Sequence, residues 1–414
     1  MEPPPAASAP TSGVLDELRA RIQAVLERTS VRSAPARDVP PCELPFVSEE
    51  TERGPLHVRT LCLPACHRTG RIPVAAARDA RGDLLALLAL DPAIARCDPA
   101  RALFLDTETT GLAGGTGTVP FLVGLAFWQA GAAGGGALVL EQLFVHALGQ
   151  EEPVLERVRR RIEDASLLVT FNGKSFDLPL LRARYVMSRL PAPVEPPHLD
   201  LLHVARRVHG RRVARGCRLV TLEDDVLGFV REGDIESRDV AACYLHYLRT
   251  GDGRALLGVV EHNAWDVVAM AALMGLYGEP LHVDLGANDL AGVARTLRRA
   301  GALDRASSTA DAAVERGGTA EALRARADIA KARGDRARAL ADFEALAASV
   351  DDPSVRLELA KLYEHWVKEP ARALEWAAQG TGEAPERACL RVTRLARKVA
   401  STSSSLRRGN RRST

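Results

Sequence analysis

The run Leu103-Phe104-Leu105-Asp106-Thr107-Glu108-Thr109-Thr110-Gly111 constrains this chain most. Strand-forming apolar residues lead into two carboxylates separated by one residue. Side chains along a strand alternate faces with a period of two, so Asp106 and Glu108 point the same way. Two neighbouring anions repel unless something positive lies between them. Carboxylate oxygens suit the hard divalent ions Mg²⁺ and Mn²⁺. Taken alone, the pair also reads as a strand end facing water; the downstream residues decide between the two.

Val119 to Trp128 and Ala137 to Val145 read as strands joined through the glycine-rich turn Gly131 to Gly136. Pro153 to Ile162 has the spacing of an amphipathic helix, and Leu167 to Phe171 reads as a short buried strand. This order predicts a mixed α/β sheet flanked by helices. A strand end at Asn172-Gly173 is followed by Ser175 as a helix N-cap, which places Asp177 in the first helical turn. Ligands bind outside such strand ends in sheets of this type. Further on, Glu261 to Met270 continues an apolar helix in which His262 and Asp266, four apart, share a face. A carboxylate embedded in an apolar helix is costly without a partner, so Asp266 should face a cation or an arginine.

Other motifs exclude function classes. Gly111 to Thr118 lacks the Lys-Ser/Thr ending of a phosphate-binding loop and reads as a turn open to close backbone approach. Cys62, Cys66 and His67 lack the second pair of ligands that a zinc site needs, and read as buried small residues. The seven cysteines are scattered and odd in number, which argues for a reducing cytoplasm. Nothing resembles a signal peptide or an unbroken apolar run of about 18 residues, so no membrane is expected. The net charge of +2 does not advertise a nucleic-acid partner. An arginine cluster from Arg206 to Arg218, including Arg211 and Arg212, offers a local phosphate-binding surface or a solvated face.

Residues 1–43 are expected to be disordered apart from a helix at Val14 to Leu26, and 44–280 to form the α/β domain. From Leu290 the texture becomes Ala-rich. Gly301 and Ala306 recur as Gly334 and Ala339, and Ala337 to Leu340 recurs as Ala371 to Leu374. A period of about 34 residues is the tetratricopeptide pattern, which assigns 288–400 to all-α helical repeats. Residues 401–414 are expected to be a basic disordered tail.

Asp106, Glu108, Asp177, His262 and Asp266 together form a constellation suited to phosphodiester hydrolysis. Two divalent ions roughly 3.5–4 Å apart need several carboxylates, and a histidine can take a proton from water. Here the chain resembles the DEDD (DnaQ-like) superfamily of 3′–5′ exonucleases, with a ribonuclease-H-like fold. Asp106 to Gly111 matches its first motif, Phe171 to Asp177 its second, and His262 to Asp266 its third. It is most similar to the YprB-like ribonuclease-H-like family, which resembles the proofreading domain of family B DNA polymerases; a fused tetratricopeptide tail recurs in that group. The third motif departs from both usual subclasses, because His262 takes the spacing of the tyrosine in Tyr-x-x-x-Asp. The resemblance implies that Asp106, Glu108, Asp177 and Asp266 hold two Mg²⁺ or Mn²⁺ ions, with His262 as base. It further implies that Thr107, Thr110, Gly111 and Asn172 contact a single-stranded DNA or RNA end, joined by Arg211 and Arg212. An alternative reading is an adaptor that acts through a protein partner bound to its repeats. A transposase on the same fold would require neither the Asp-Thr-Glu pair nor the histidine.

Overall fold

The computed structural model describes residues 42–111, 117–129, 136–210, 213, 215–279, 281 and 284–410, with side chains to residue 401. The helix expected at Val14 to Leu26 and the arginines Arg211 and Arg212 lie outside the described residues. The described residues fall into two compact units divided between residues 279 and 280, with residues 207–210 grouped with the second.

In the first unit, strands β1 (Val47–Thr51) and β2 (Gly54–Pro64) precede a small hairpin of β3 (Arg68–Thr69) and β4 (Ile72–Pro73). Helices α1 (Ala75–Arg78) and α2 (Gly82–Ala89) lead to β5 (Ala102–Thr109), β6 (Pro120–Gln129) and β7 (Ala137–Phe144). Next come α3 (Glu152–Asp164), β8 (Leu167–Thr170), α4 (Asp177–Met187), β9 (His198–Asp200) and α5 (Leu201–Val208). The unit closes with α6 (Leu219–Leu222), a π-helical turn over Glu223–Leu227, α7 (Ser237–Thr250) and α8 (Arg254–Leu276).

The main sheet has seven strands in the order β1-β2-β7-β6-β5-β8-β9. Pairing is antiparallel from β1 to β5, and parallel from β5 through β8 to β9. This is the expected mixed sheet. Residues 102–105 and 120–126 are buried on both faces, which explains their unbroken apolar runs. Helix α3 buries Val154, Leu155, Val158 and Ile162 and leaves its charges outside. Helix α8 is buried nearly all round and packs on β5, β6 and β7. It is long and apolar enough to cross a bilayer, yet 72% of that window is buried inside the protein.

Two local expectations need correcting. Helix α4 starts at Asp177, with Phe176 rather than Ser175 at its N-cap. The cause is the turn before it: Asn172 takes φ 71°, the Ser175 N–H donates to the Asn172 carbonyl, and the Leu178 N–H donates to that of Gly173. Cys62 and Cys66 are exposed rather than buried, because Cys62 lies on an outward position of β2.

The second unit contains α9 (Ala287–Arg299), α10 (Leu303–Gly317), α11 (Ala320–Arg333), α12 (Arg336–Ser349), α13 (Pro353–Leu362), α14 (Pro370–Ala378) and α15 (Pro385–Asn410). Alternate helices start at residues 287, 320 and 353, a spacing of 33. Gly301 and Gly334 turn between helices at φ 82° and 83°, and Ala306, Ala339 and Ala373 are fully buried. Helix α15 runs through residues 401–410, where a disordered tail was expected. Extending an existing helix costs far less than nucleating one.

Candidate functional site

The carboxylate end of β5 is held from three sides. Strand alternation turns Asp106 and Glu108 toward α8, as expected. Across the sheet Asp106 pairs with Gly124 and Gly124 pairs with Gln142, so the three lie in one row. Asn263 on α8 lies over that row. Its amide nitrogen donates to Asp106 Oδ2 at 2.9 Å, and its oxygen accepts from Gln142 Nε2 at 3.0 Å. Gln142 also donates to the Val260 carbonyl at 2.7 Å. A side chain on residue 124 would put its Cβ 2.3 Å from Asn263 Oδ1, so only glycine lets the helix close on the sheet.

Asp177 reaches the same end from the turn after β8. Its Oδ1 accepts from the Thr107 hydroxyl at 2.5 Å. That bond gives Thr107 a role in holding Asp177. The turn itself is tied down by Asp200 at the end of β9. Asp200 accepts from the N–H groups of Asn172 at 2.8 Å and Lys174 at 3.2 Å. A Cβ on Gly173 would lie 2.6 Å from Thr170, which fixes the Asn-Gly pair. The Thr110 hydroxyl accepts from the Val119 N–H, and the Gly111 carbonyl accepts from Thr109, so both shape the strand exit.

His262 and Asp266 share the inner face of α8, with Nε2 3.6 Å from Asp266 Oδ2. Together with Glu108 they form a group whose ligand atoms lie within 4.8 Å of one another. The arginine that Asp266 required is Arg231, which also bonds Glu223 through Nε at 2.6 Å and Nη2 at 2.7 Å. Asp234 accepts from Arg231 at 3.2 Å and bonds His262 Nδ1 at 2.6 Å. Sequence reading missed Asn263, Gln142, Arg231, Glu223 and Asp234. Asn263 stood inside a recognised motif, and the polar Gln142 inside an apolar strand was the visible signal for its row. Arg215 is paired with Asp224 at 2.8 Å and Asp225 at 2.5 Å, so this part of the arginine cluster is a paired surface.

The electrostatics are those of a cluster short of positive charge. Burial, followed by the charges of Asp266, Asp177 and Glu108, pushes the Asp106 carboxyl well above its usual range. Burial lifts Glu108 to about 7 and Asp177 to about 6, in each case with help from neighbouring carboxylates. For His262, burial alone would lower the pKa. The Asp234 bond and the charges of Asp266, Glu108 and Asp234 outweigh it and raise the ring to about 9. A crowd of buried carboxylates at one strand end, with Asp106, Glu108 and Asp177 all pushed above their usual range, is the donor set that hard divalent ions neutralise.

A stability prediction follows from these signs. Glu108 and Asp177 keep protons in the folded state that the unfolded chain releases near pH 4, so their burial costs more as pH rises through about 6 and 7. His262 stabilises the fold fully below about 6.5, and that contribution is lost as pH rises through about 9. In EDTA, Tm should therefore fall steadily between about pH 5.5 and 9, and Mn²⁺ should restore it most at the alkaline end. A Tm in EDTA that is flat over this range would refute the crowding.

Residues 103–277 match a family model described as the RNase_H superfamily. The fold is thus ribonuclease-H-like, a mixed sheet with helical cover followed by a helix-rich region. Folds of this kind usually bind divalent metals. An uncharacterised protein designated YprB, from Bacillus subtilis (strain 168), is 34% identical over 172 residues. That stretch is 41% of this chain and 40% of the relative, so the similarity spans about two fifths of each protein.

Proposed function

We propose that this chain is a metal-dependent 3′–5′ exonuclease of the DEDD type acting on single-stranded DNA or RNA. The observation that carries this reading is the convergence of Asp106 and Glu108 from β5, Asp177 from α4 and Asp266 from α8 on one end of the sheet. Two Mg²⁺ or Mn²⁺ ions held by these four residues would supply a nucleophilic water and neutralise the charge of the leaving oxygen. The protein's own contribution is to fix the carboxylates: Asn263 holds Asp106, Thr107 holds Asp177, and Arg231 holds Asp266.

His262 Nε2 is turned toward Asp266, while Asp234 fixes the ring through Nδ1. Asp266 and Glu108 are two of the charges that raise the His262 pKa. Once those carboxylates are neutralised, the ring returns toward the range where imidazole serves as a base. On the outer side, Lys174 and the 58% exposed Phe176 flank Asp177. A cation and an aromatic face suit a single strand, whose bases stack and whose phosphates need neutralising. Thr110, Gly111 and Asn172 line the same strand ends, while Arg211 and Arg212 lie outside the described residues.

The test uses 5′-labelled single strands, DNA and RNA, in Mn²⁺. A ladder that shortens from the 3′ end, blocked by a modified 3′ terminus and absent from circular single strands, is expected. Cleavage of the circle, or release of mononucleotides from the 5′ end, would overturn the exonuclease polarity. The 33-residue helix spacing supports tetratricopeptide-like repeats as the seat of a protein partner, which is the second reading. Full-length protein inert on every nucleic acid in both metals, while a peptide ligand occupies the repeats, would favour that adaptor role. The free cysteines suit a cytoplasmic setting.

A further inference from the structure

Arg231 is an arginine bonded directly to the carboxylate cluster, and its side chain is almost wholly buried, at 2% exposure. It lies on the loop after the π-helical turn, outside all three matched motifs. Its guanidinium bonds two oxygens of Glu223, itself at 0% exposure, with Nε and Nη2. The same Nη2 reaches Asp266 Oδ1, and Nη1 reaches Asp234 at 3.2 Å. The guanidinium also lies 5.6 Å from the centre of the Trp265 ring. A planar fork held on one edge by a buried carboxylate has little freedom left, so whatever it grips on the other edge is fixed too.

Resting on the exonuclease reading, we propose that Arg231, clamped by Glu223, is a positioning residue that sets the working orientation of Asp266 and, through Asp234, of His262. By occupying Oδ1 it leaves Oδ2 as the Asp266 oxygen facing His262. Partners of this kind, which orient a metal ligand without touching the metal, typically change metal affinity 10–100-fold when removed. The π-helical turn over Glu223–Leu227 serves this geometry by carrying Glu223 at its first position. A lysine keeps the charge but not the fork, and one ammonium cannot satisfy Glu223, Asp234 and Asp266 in the same geometry.

The experiment measures Mn²⁺ binding to the full-length protein by electron paramagnetic resonance, alongside kcat and KM on a labelled single strand. Arg231→Lys is expected to weaken Mn²⁺ binding roughly tenfold or more and to lower kcat with little change in KM. Glu223→Gln, which loosens the clamp while leaving Arg231 in place, should move both quantities in the same direction by less. If Arg231→Lys does not fold, Glu223→Gln carries the test alone. Wild-type Mn²⁺ affinity and kcat in the folded variants would overturn the positioning role while leaving the exonuclease reading intact. A wild-type protein that binds no Mn²⁺ would overturn both.

Discussion

Replacing Asp106 with Asn is expected to abolish nuclease activity while making the metal-free protein more stable. The two effects have one cause. Asp106 is buried among Glu108, Asp177 and Asp266, and its charge is unfavourable until a cation arrives. An amide of the same shape removes that repulsion, and Asn263 and Gln142 can reorient around it. The amide is also a poor ligand for a hard ion, so water activation fails. A loss of about a thousandfold or more in kcat, equivalent to roughly 4 kcal/mol of transition-state stabilisation, is expected. Tm measured in EDTA should rise, and the gain in Tm on adding Mn²⁺ should shrink. Activity within a few-fold of wild type on labelled oligonucleotides would remove Asp106 from the site. A fall in Tm in EDTA would mean that the carboxylate is structurally paired, contrary to its surroundings.

The legibility of this chain depended on the range over which each interaction acts. Strand β5, helix α8 and the facing of Asp106 with Glu108 and of His262 with Asp266 are set by period, and period is local. The need for a cation at Asp266 was also legible, because an acid in an apolar helix is costly wherever it lies. Which cation was not: Arg231 is 35 residues away in sequence, on a loop without periodicity. Strand β1 offers almost no apolar signal, since Val47 is its one apolar residue and is exposed, whereas β2 does carry an alternation at Leu56 and Val58 that the sequence reading passed over. Nothing local reveals that Asp177, 70 residues on, returns to the Thr107 hydroxyl. Asn263 lies inside the third motif, and its role is visible only with Gly124 and Gln142 beneath it.

Gly124→Ala tests that row directly. A methyl group at this position would lie 2.3 Å from Asn263 Oδ1 and 2.8 Å from Val267 Cγ2, so α8 or the Asn263 side chain must move. Overpacking of this kind typically costs 1–3 kcal/mol, a fall of several degrees in Tm at this size. Activity should fall further than stability alone explains, because the displaced Asn263 no longer donates to Asp106 Oδ2. A double-mutant cycle separates the two effects. Asn263→Ala removes the nearest of these contacts and leaves that with Val267 Cγ2, so Gly124→Ala in that background should cost less stability than in wild type. It should recover no activity, since Asp106 has then lost its donor in every variant of the cycle. Equal stability costs in both backgrounds would show that Asn263 is not the group against which residue 124 is fitted. Full activity in Asn263→Ala would show that Asp106 is held in place by something other than this amide.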